Sequence, residues 1–286
     1  MFSPKASHSA SFFTPSRNRF AAWNVFLLAA FLAGTASAVR ADLKIQANVI
    51  TNGKKESTTT YYKGSMMRSE EGSNVIIFDG SKNIAYSLNT ANKTYQVINF
   101  GEMTKNPAFQ MMDIKSNVSL KPGGKTKTIL GKPAKNYVYS ATVKFTMKPE
   151  AMERIKAQSG GNATPNLEAM MPTVTITGET WVTEALSMPS GGAAGAMATL
   201  QNVPGVSDLM KKFKTIKGVP LESTQTVKVA GGMGAANQRN VTTKTIATAI
   251  SQASLPSSLF EVPKGYTKQQ QPTRPAGAPG GVRPKN

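Results

Sequence analysis

Residues 74–99, NVIIFDGSKNIAYSLNTANKTYQVIN, decide the fold. Three short runs rich in Val, Ile, Phe and Tyr alternate with stretches of Asp, Gly, Asn and Thr, residues that favour tight turns. Asp79-Gly80 and residues 89–92 are the expected turns. Because strands joined by such short turns pair antiparallel, the stretch predicts three strands of a meander, at 74–79, 83–88 and 94–99.

The same pattern extends in both directions along the chain. Residues 42–52, DLKIQANVITN, alternate apolar and polar side chains, which is typical of a half-buried strand. Further strands are predicted at 56–62, 65–70, 125–130, 136–147, 173–184, 219–229 and 240–250. Short helices are predicted within 102–114 and at 149–158 and 207–216. The fold class is therefore mainly β (α+β), with about 10–11 antiparallel strands in a sheet that must curl or close to protect its edges.

The composition excludes several kinds of active site. The chain has 286 residues, no Cys and one His, which is His8. Cysteine nucleophiles, disulfides and zinc-thiolate sites are impossible without Cys, and a mature chain lacking its N-terminus would have no His for a triad or a metal. Asp79 is explained by its turn, and Glu179 and Glu184 are predicted to lie on opposite faces of a strand. We therefore expect no enzyme activity, no catalytic residues, no metal and no cofactor.

The N-terminus predicts export. Residues 1–19 are polar and basic, residues 20–34 (FAAWNVFLLAAFLAG) are apolar apart from Asn24, and small residues follow at 36–38 and 39–41. This arrangement is typical of a cleaved signal peptide, predicted at 1–41. No Cys follows the apolar run, so there is no lipobox. The expected location is periplasmic or secreted.

The charge favours an anionic partner. The chain carries 34 basic and 15 acidic residues, a net charge of +19. Such a field attracts nucleic acid or phospholipid headgroups, and the predicted export argues against nucleic acid. Lysines 211, 212, 214 and 217 of the predicted 207–216 helix could contact an anionic membrane surface or be simply solvated.

The tail at 267–286 is rich in Gln, Pro and Gly and is expected to be disordered, which leaves 42–266 as the folded domain.

Several short motifs resemble a known fold. Residues 64–68 (GSMMR), 77–80 (IFDG), 86–88 (YSL) and 93–95 (KTY) resemble the opening of the Lol-type fold of the periplasmic outer-membrane lipoprotein carrier and its receptor. Residues 131–139 (GKPAKNYVY), 178–181 (GETW) and 259–266 (LFEVPKGY) resemble a related family of uncharacterised secreted bacterial domains. Together the motifs cover residues 42–266 in order.

The resemblance implies an incomplete antiparallel β-barrel around a helical plug, with an apolar concave face that holds acyl chains. By position, Arg68 matches the carriers' functional arginine, which helps to hold a lid closed in the unliganded state. The 14 methionines suit an adaptable lining, although they also serve as core gap-fillers. The predicted ligand-binding residues are Met66, Arg68, Ile77, Tyr86, Met111, Met112, Phe145 and Trp181.

Two functions follow as expectations. The first is a non-enzymatic binding protein that holds a lipid, an acyl chain or a lipoprotein in the concave cavity. The second is an envelope sensor or scaffold that binds a protein partner without lipid, for which an exposed apolar patch would be expected rather than a deep pocket. An anionic membrane surface or an envelope protein is the further expected partner.

Overall fold

The computed structural model describes residues 41–105, 107–158, 171–189, 212, 215–231 and 239–269. The predicted signal peptide, apart from Ala41, lies outside these residues, as do most of the predicted 207–216 helix and residues 270–286 of the predicted tail. The first residues of that tail, predicted to be disordered at 267–286, are instead ordered and include a short strand at Thr267–Lys268. The strands are β1 (Leu43–Thr51), β2 (Lys54–Lys63), β3 (Met66–Glu71), β4 (Asn74–Asp79), β5 (Ile84–Asn89), β6 (Thr94–Asn99), β7 (Met112–Ile129), β8 (Lys132–Met147), β9 (Thr173–Thr183), β10 (Val219–Ala230), β11 (Arg239–Gln252) and β12 (Thr267–Lys268). The helices are α1 (Phe100–Lys105), α2 (Pro107–Gln110) and α3 (Pro149–Gln158), with a 3-10 turn at Ser257–Phe260.

The twelve strands of the described residues form one open, barrel-like sheet in the order β12-β6-β5-β4-β3-β2-β1-β11-β10-β9-β8-β7. Strands β1 to β6 form one antiparallel meander and β7 to β11 form a second. The two meanders join where β1 pairs antiparallel with β11, from Leu43 opposite Gln252 to Thr51 opposite Thr243. The mainly β fold class predicted from the sequence is confirmed.

The main core lies on one face of this sheet. Register places Leu43 opposite Tyr62, Tyr62 opposite Met67, and Met67 opposite Phe78, so the buried side chains form a row across four strands. Phe100 of α1 contacts Phe78 edge-on, with 6.0 Å between ring centroids. Residues from both meanders, including Tyr139, Val182, Leu221 and Ala247, belong to this same cluster of buried side chains. One apolar interior therefore joins the two meanders, and Phe100 of α1 packs against it.

A second cluster lies on the opposite face of β3 to β6. We call it the outer cluster, and its buried members are Val75, Ile77, Leu88 and Phe260. Phe260 belongs to residues 255–266, here called the closing segment, which lies across this face. Thr267 and Lys268 then pair parallel with Thr94 and Tyr95 to form β12 beside β6. The closing segment thus covers an apolar sheet face that would otherwise meet water.

The structure differs from the sequence prediction most at the start of the second meander. Helical turns were predicted to Ile114, but α2 ends at Gln110 and β7 runs from Met112, thirteen residues before the predicted start at 125. The Pro122-Gly123-Gly124 sequence suggests a loop, whereas the strand continues through it with a register shift between Pro122 and Thr126. Gly123 lies against Asn136, since a Cβ there would be 1.6 Å from the Asn136 amide oxygen. A bulge, rather than a loop, therefore accommodates these residues.

Candidate binding site

A cavity of about 60 Å³ opens on the main-core face where the two meanders join. It is lined by residues of β1, β2, β10 and β11: Ile45, Ala47, Thr58, Thr60, Tyr62, Pro220, Leu221, Glu222, Ser223, Thr245 and Ala247. A volume of this size holds roughly four to six water-sized groups, at about 10–15 Å³ each. The cavity in this conformation is therefore suited to a small group or a short segment of a chain.

Small side chains in register create the hollow. Ala47 of β1 lies opposite Ala247 of β11 on one side and opposite Thr58 of β2 on the other. Larger residues fill the adjoining positions, since Leu221 and Tyr62 are each 1% exposed. Three neighbouring small residues leave a space that their neighbours do not fill, because the pleat directs all three to the same face.

The lining of the cavity is partly aliphatic and partly polar. Ile45, Ala47, Leu221 and Ala247 supply the aliphatic part, and Thr58, Thr60, Ser223 and Thr245 supply hydroxyl groups. Such a mixed lining, with few polar groups on an apolar surface, is typical of small-molecule sites.

Two buried polar atoms of β10, one of them on a residue that lines the cavity, have no hydrogen-bond partner in the described structure. They are the Ser223 hydroxyl oxygen and the Gln225 amide nitrogen, on side chains that are 1% and 3% exposed. The Gln225 carbonyl oxygen accepts a hydrogen bond of 3.2 Å from the Tyr139 hydroxyl, so the amide nitrogen is the atom left over. A buried unsatisfied polar atom costs about 1–3 kcal/mol, so a bound group that accepts a hydrogen bond would remove a real penalty here.

Glycine 178 allows this arrangement to form. A Cβ at position 178 would lie 2.4 Å from the Thr224 carbonyl oxygen and 2.6 Å from the Tyr139 hydroxyl oxygen. Burial raises the pKa of Tyr139 far above its ordinary value, so the phenol stays neutral and remains a donor. The hydroxyl of Tyr139 therefore occupies the space that a side chain at 178 would need.

One acidic group borders the cavity. Burial raises the pKa of Glu222, but the hydrogen bond and charge of Lys127, together with Lys244, outweigh burial and hold that pKa below its ordinary value. The Lys127 ammonium lies 2.6 Å from a Glu222 carboxylate oxygen, and Lys244 lies 3.5 Å from the other. The carboxylate is thus ionised and already paired. Among the described residues no cluster of three or more Asp, Glu, His or Cys could hold a metal ion.

The structure separates the predicted ligand-binding residues into three places. Met66, Ile77 and Tyr86 lie in the outer cluster. Arg68 donates to a Glu70 carboxylate oxygen at 2.6 Å and to the Leu259 carbonyl oxygen of the closing segment at 3.0 Å, so it holds that segment to the sheet. These four residues lie on the sheet face that the closing segment covers, and none of them lines the cavity.

The other four residues lie along the second meander. Phe145 packs with Ile114 and Val143 in a small separate cluster, and Met112 lies opposite Met147 at the start of β7. Met111 is 39% exposed. Trp181 belongs to the main core, and the Lys127 ammonium lies 4.1 Å from its ring centroid.

Sequence reasoning missed the residues that line the cavity. Threonine, serine and alanine do not suggest a binding surface when large apolar residues are sought. The available signal was the alternation of Thr58 and Thr60 with their neighbours in a strand that was correctly predicted, because that period places both hydroxyls on the core face.

Comparisons with known proteins add little to this description. No family model matches the chain. No curated protein matches it either. Among solved structures, PNGF-II ("Structure of PNGF-II in C2 space group") is similar with a TM-score of 0.34 and 13% identity, over 80% of this chain and 31% of that one. The chain therefore spans about a third of the length of the PNGF-II chain, and a TM-score of that size carries no conclusion about fold family or function. In the described residues no helix is both long and apolar enough to cross a membrane.

Proposed function

We propose that this protein is a non-enzymatic binding protein of the periplasm or the secreted fraction, with a Lol-like fold, that holds an acyl chain of a lipid or lipoprotein. The observation that carries the proposal is the cavity between the meanders, with its aliphatic lining residues and its unpartnered Ser223 hydroxyl. An acyl chain carries an apolar tail and an ester, amide or carboxyl group at one end, and these match the two parts of the lining.

Burial of apolar surface supplies the binding energy in this proposal. Each Å² of apolar surface removed from water contributes about 25 cal/mol, and the aliphatic lining at Ile45, Ala47 and Leu221 requires no charged partner. The Ser223 hydroxyl, on a residue that lines the cavity, would donate to a carbonyl oxygen of the ligand. The cavity takes a short segment of the chain, and the remaining methylenes would lie outside it.

The test is native mass spectrometry of the protein purified gently from its own envelope fraction, followed by reloading with palmitate. We expect a stoichiometric adduct that solvent extraction identifies as an acyl compound. In Ala247→Leu the larger side chain fills the hollow, and we expect palmitate binding to weaken at least tenfold. Ala249→Leu changes an exposed residue of the same strand and is the matched control, with binding unchanged.

Three results would overturn the proposal. They are a clean mass with no palmitate uptake by the wild-type protein, equal uptake by both alanine variants, and loss of uptake in both. The first result would favour the alternative of a scaffold that binds an envelope protein, to be tested by crosslinking in the native envelope.

A further inference from the structure

The positive charge of the domain is concentrated in one hairpin. Residues 112–148, which span β7, β8 and the turn between them, contain eight lysines and a single acid, Asp113, a net charge of +7. The first meander, residues 42–105, contains eight basic and six acidic residues, a net charge of +2. A charge excess confined to one hairpin makes that hairpin the preferred contact of an anionic surface.

The turn of this hairpin holds an unusual residue. Leu130 and Gly131 connect β7 to β8 with φ angles of +51° and +70°, the left-handed backbone of a tight two-residue turn. The first hairpin has the same kind of turn at Asn52 and Gly53, with φ angles of +49° and +86°. Asn is a preferred residue in this conformation, whereas Leu pays a steric cost there. The Leu130 side chain is also 43% exposed, so no burial in the core offsets that cost.

Three lysines of this hairpin have no acidic partner among the described residues. Lys121, Lys125 and Lys132 form no ion pair within the described part of the chain, whereas Lys127 and Lys135 pair with Glu222 and Glu184. The pairing of β8 with β9 stops at Lys135 opposite Val182, so residues 127–134 extend beyond that strand. Exposed lysines on an edge strand also prevent edge-to-edge aggregation, which accounts for the charge but not for an exposed leucine in a strained turn.

We propose that the β7–β8 turn docks this protein on an anionic phospholipid bilayer, with Leu130 entering the interface and Lys125 and Lys132 contacting headgroup phosphates. Apolar residues at the tip of a cationic element bind membranes by this combination of burial and charge. This docking site differs from the lysines at 211, 212, 214 and 217, which the sequence alone suggested as a contact for an anionic membrane. The proposal stands without any ligand in the cavity.

Contacts at the base of the turn connect it to the cavity. Lys127, three residues before Leu130, binds Glu222 at 2.6 Å and lies over the Trp181 ring. Glu222 is itself among the residues that line the cavity. A bilayer contacted by the turn would therefore lie on the same side of the molecule as this edge of the cavity.

The test is co-sedimentation of the purified protein with phosphatidylcholine vesicles that contain or lack phosphatidylglycerol, at low and high salt. We expect binding to the anionic vesicles only, weakened by salt because the lysine contacts are screened. Leu130→Asn is the decisive variant, with vesicle affinity expected to fall about tenfold through loss of the inserted side chain. Because Asn suits the left-handed backbone, the same variant should unfold at an equal or higher urea concentration, which separates docking from folding.

A charge variant and its control complete the experiment. Lys125→Gln with Lys132→Gln should weaken binding about fivefold for each lysine removed. Lys54→Gln with Lys55→Gln removes two lysines beside the Asn52-Gly53 turn and should leave affinity unchanged. Equal binding to neutral vesicles, unchanged affinity in Leu130→Asn, or an equal loss in the Lys54 and Lys55 control would each overturn the proposal.

Discussion

The two meanders bury their strands in different ways. In the first meander β4 is buried from Val75 to Asp79 except at Ile76, because the main core covers one face and the closing segment covers the other. In the second meander β10 alternates buried and half-buried residues from Val219 to Thr226, as expected for a strand with one covered face. The difference shows that the closing segment, which follows β11 in sequence, turns part of a one-sided sheet into a two-sided core.

The largest test of this comparison is Phe260→Ala. Phe260 is the buried residue that the closing segment contributes to the outer cluster, so its truncation should lower the free energy of unfolding by about 3–5 kcal/mol. Urea denaturation followed by circular dichroism measures the loss. Val138→Ala removes an exposed residue, 46% accessible, from the second meander and should cost less than about 0.5 kcal/mol. Similar losses in both variants would contradict the two-sided core.

A smaller effect is expected from Gly178→Ala in the second meander. The added Cβ meets the Thr224 backbone oxygen, which cannot move without disturbing β10, so we expect a loss of about 1–3 kcal/mol. Gly101→Ala is the control, since its Cβ would meet only the Asn99 side chain, at 3.3 Å, and alanine favours helix α1. Thermal unfolding of both variants checks the prediction, and an unchanged midpoint in Gly178→Ala would contradict the close contact with Tyr139.

The smallest effect concerns pH and belongs to the first meander. Burial and a hydrogen bond with Glu56 raise the pKa of Glu71 from 4.5 to about 7. The folded protein therefore holds this proton more tightly than the unfolded chain does. The resulting stability is present below about pH 4.5 and is lost as the pH rises through about 7.

Glu71→Gln should remove this pH dependence. The variant should be more stable than the wild type at pH 8 by less than about 1 kcal/mol, because solvent screens this half-buried pair, and the gain should vanish near pH 4. Urea midpoints across that pH range measure it. Glu102→Gln alters an exposed carboxylate bound to Lys105 and should show no such trend. A gain that is equal at both pH values would contradict the raised pKa of Glu71.

Much of the fold could be predicted because strand signals are local. The turns after Asp79 and Asn89 and the alternation from Leu43 to Val49 fix strands without knowledge of their partners. The parallel pairing of Thr267 with Thr94 could not be predicted, since two residues carry no period and their partner is 173 residues away in sequence. The outer cluster could not be predicted either, because an apolar run in the sequence does not show which segment covers the second face of the strand.

The candidate site was less predictable than the fold. Met66, Ile77 and Tyr86 have the chemistry of a ligand lining, yet the closing segment covers them. The hollow arises instead from Ala47, Thr58 and Ala247, whose small size matters only because they are neighbours in register. The spacing of residues within one strand does not predict which small residues of three different strands will be neighbours in the sheet.

The pairing of β1 with β11 also determines the order in which this molecule assembles. The Asp42 carboxylate accepts a hydrogen bond of 2.8 Å from the Leu255 amide, across 213 positions of sequence. The hairpins of the first meander close short loops, whereas this junction closes a loop of nearly the whole domain and carries a larger entropic cost. High contact order slows folding, so we expect the hairpins to form early and the middle of the sheet, where the cavity lies, to form last.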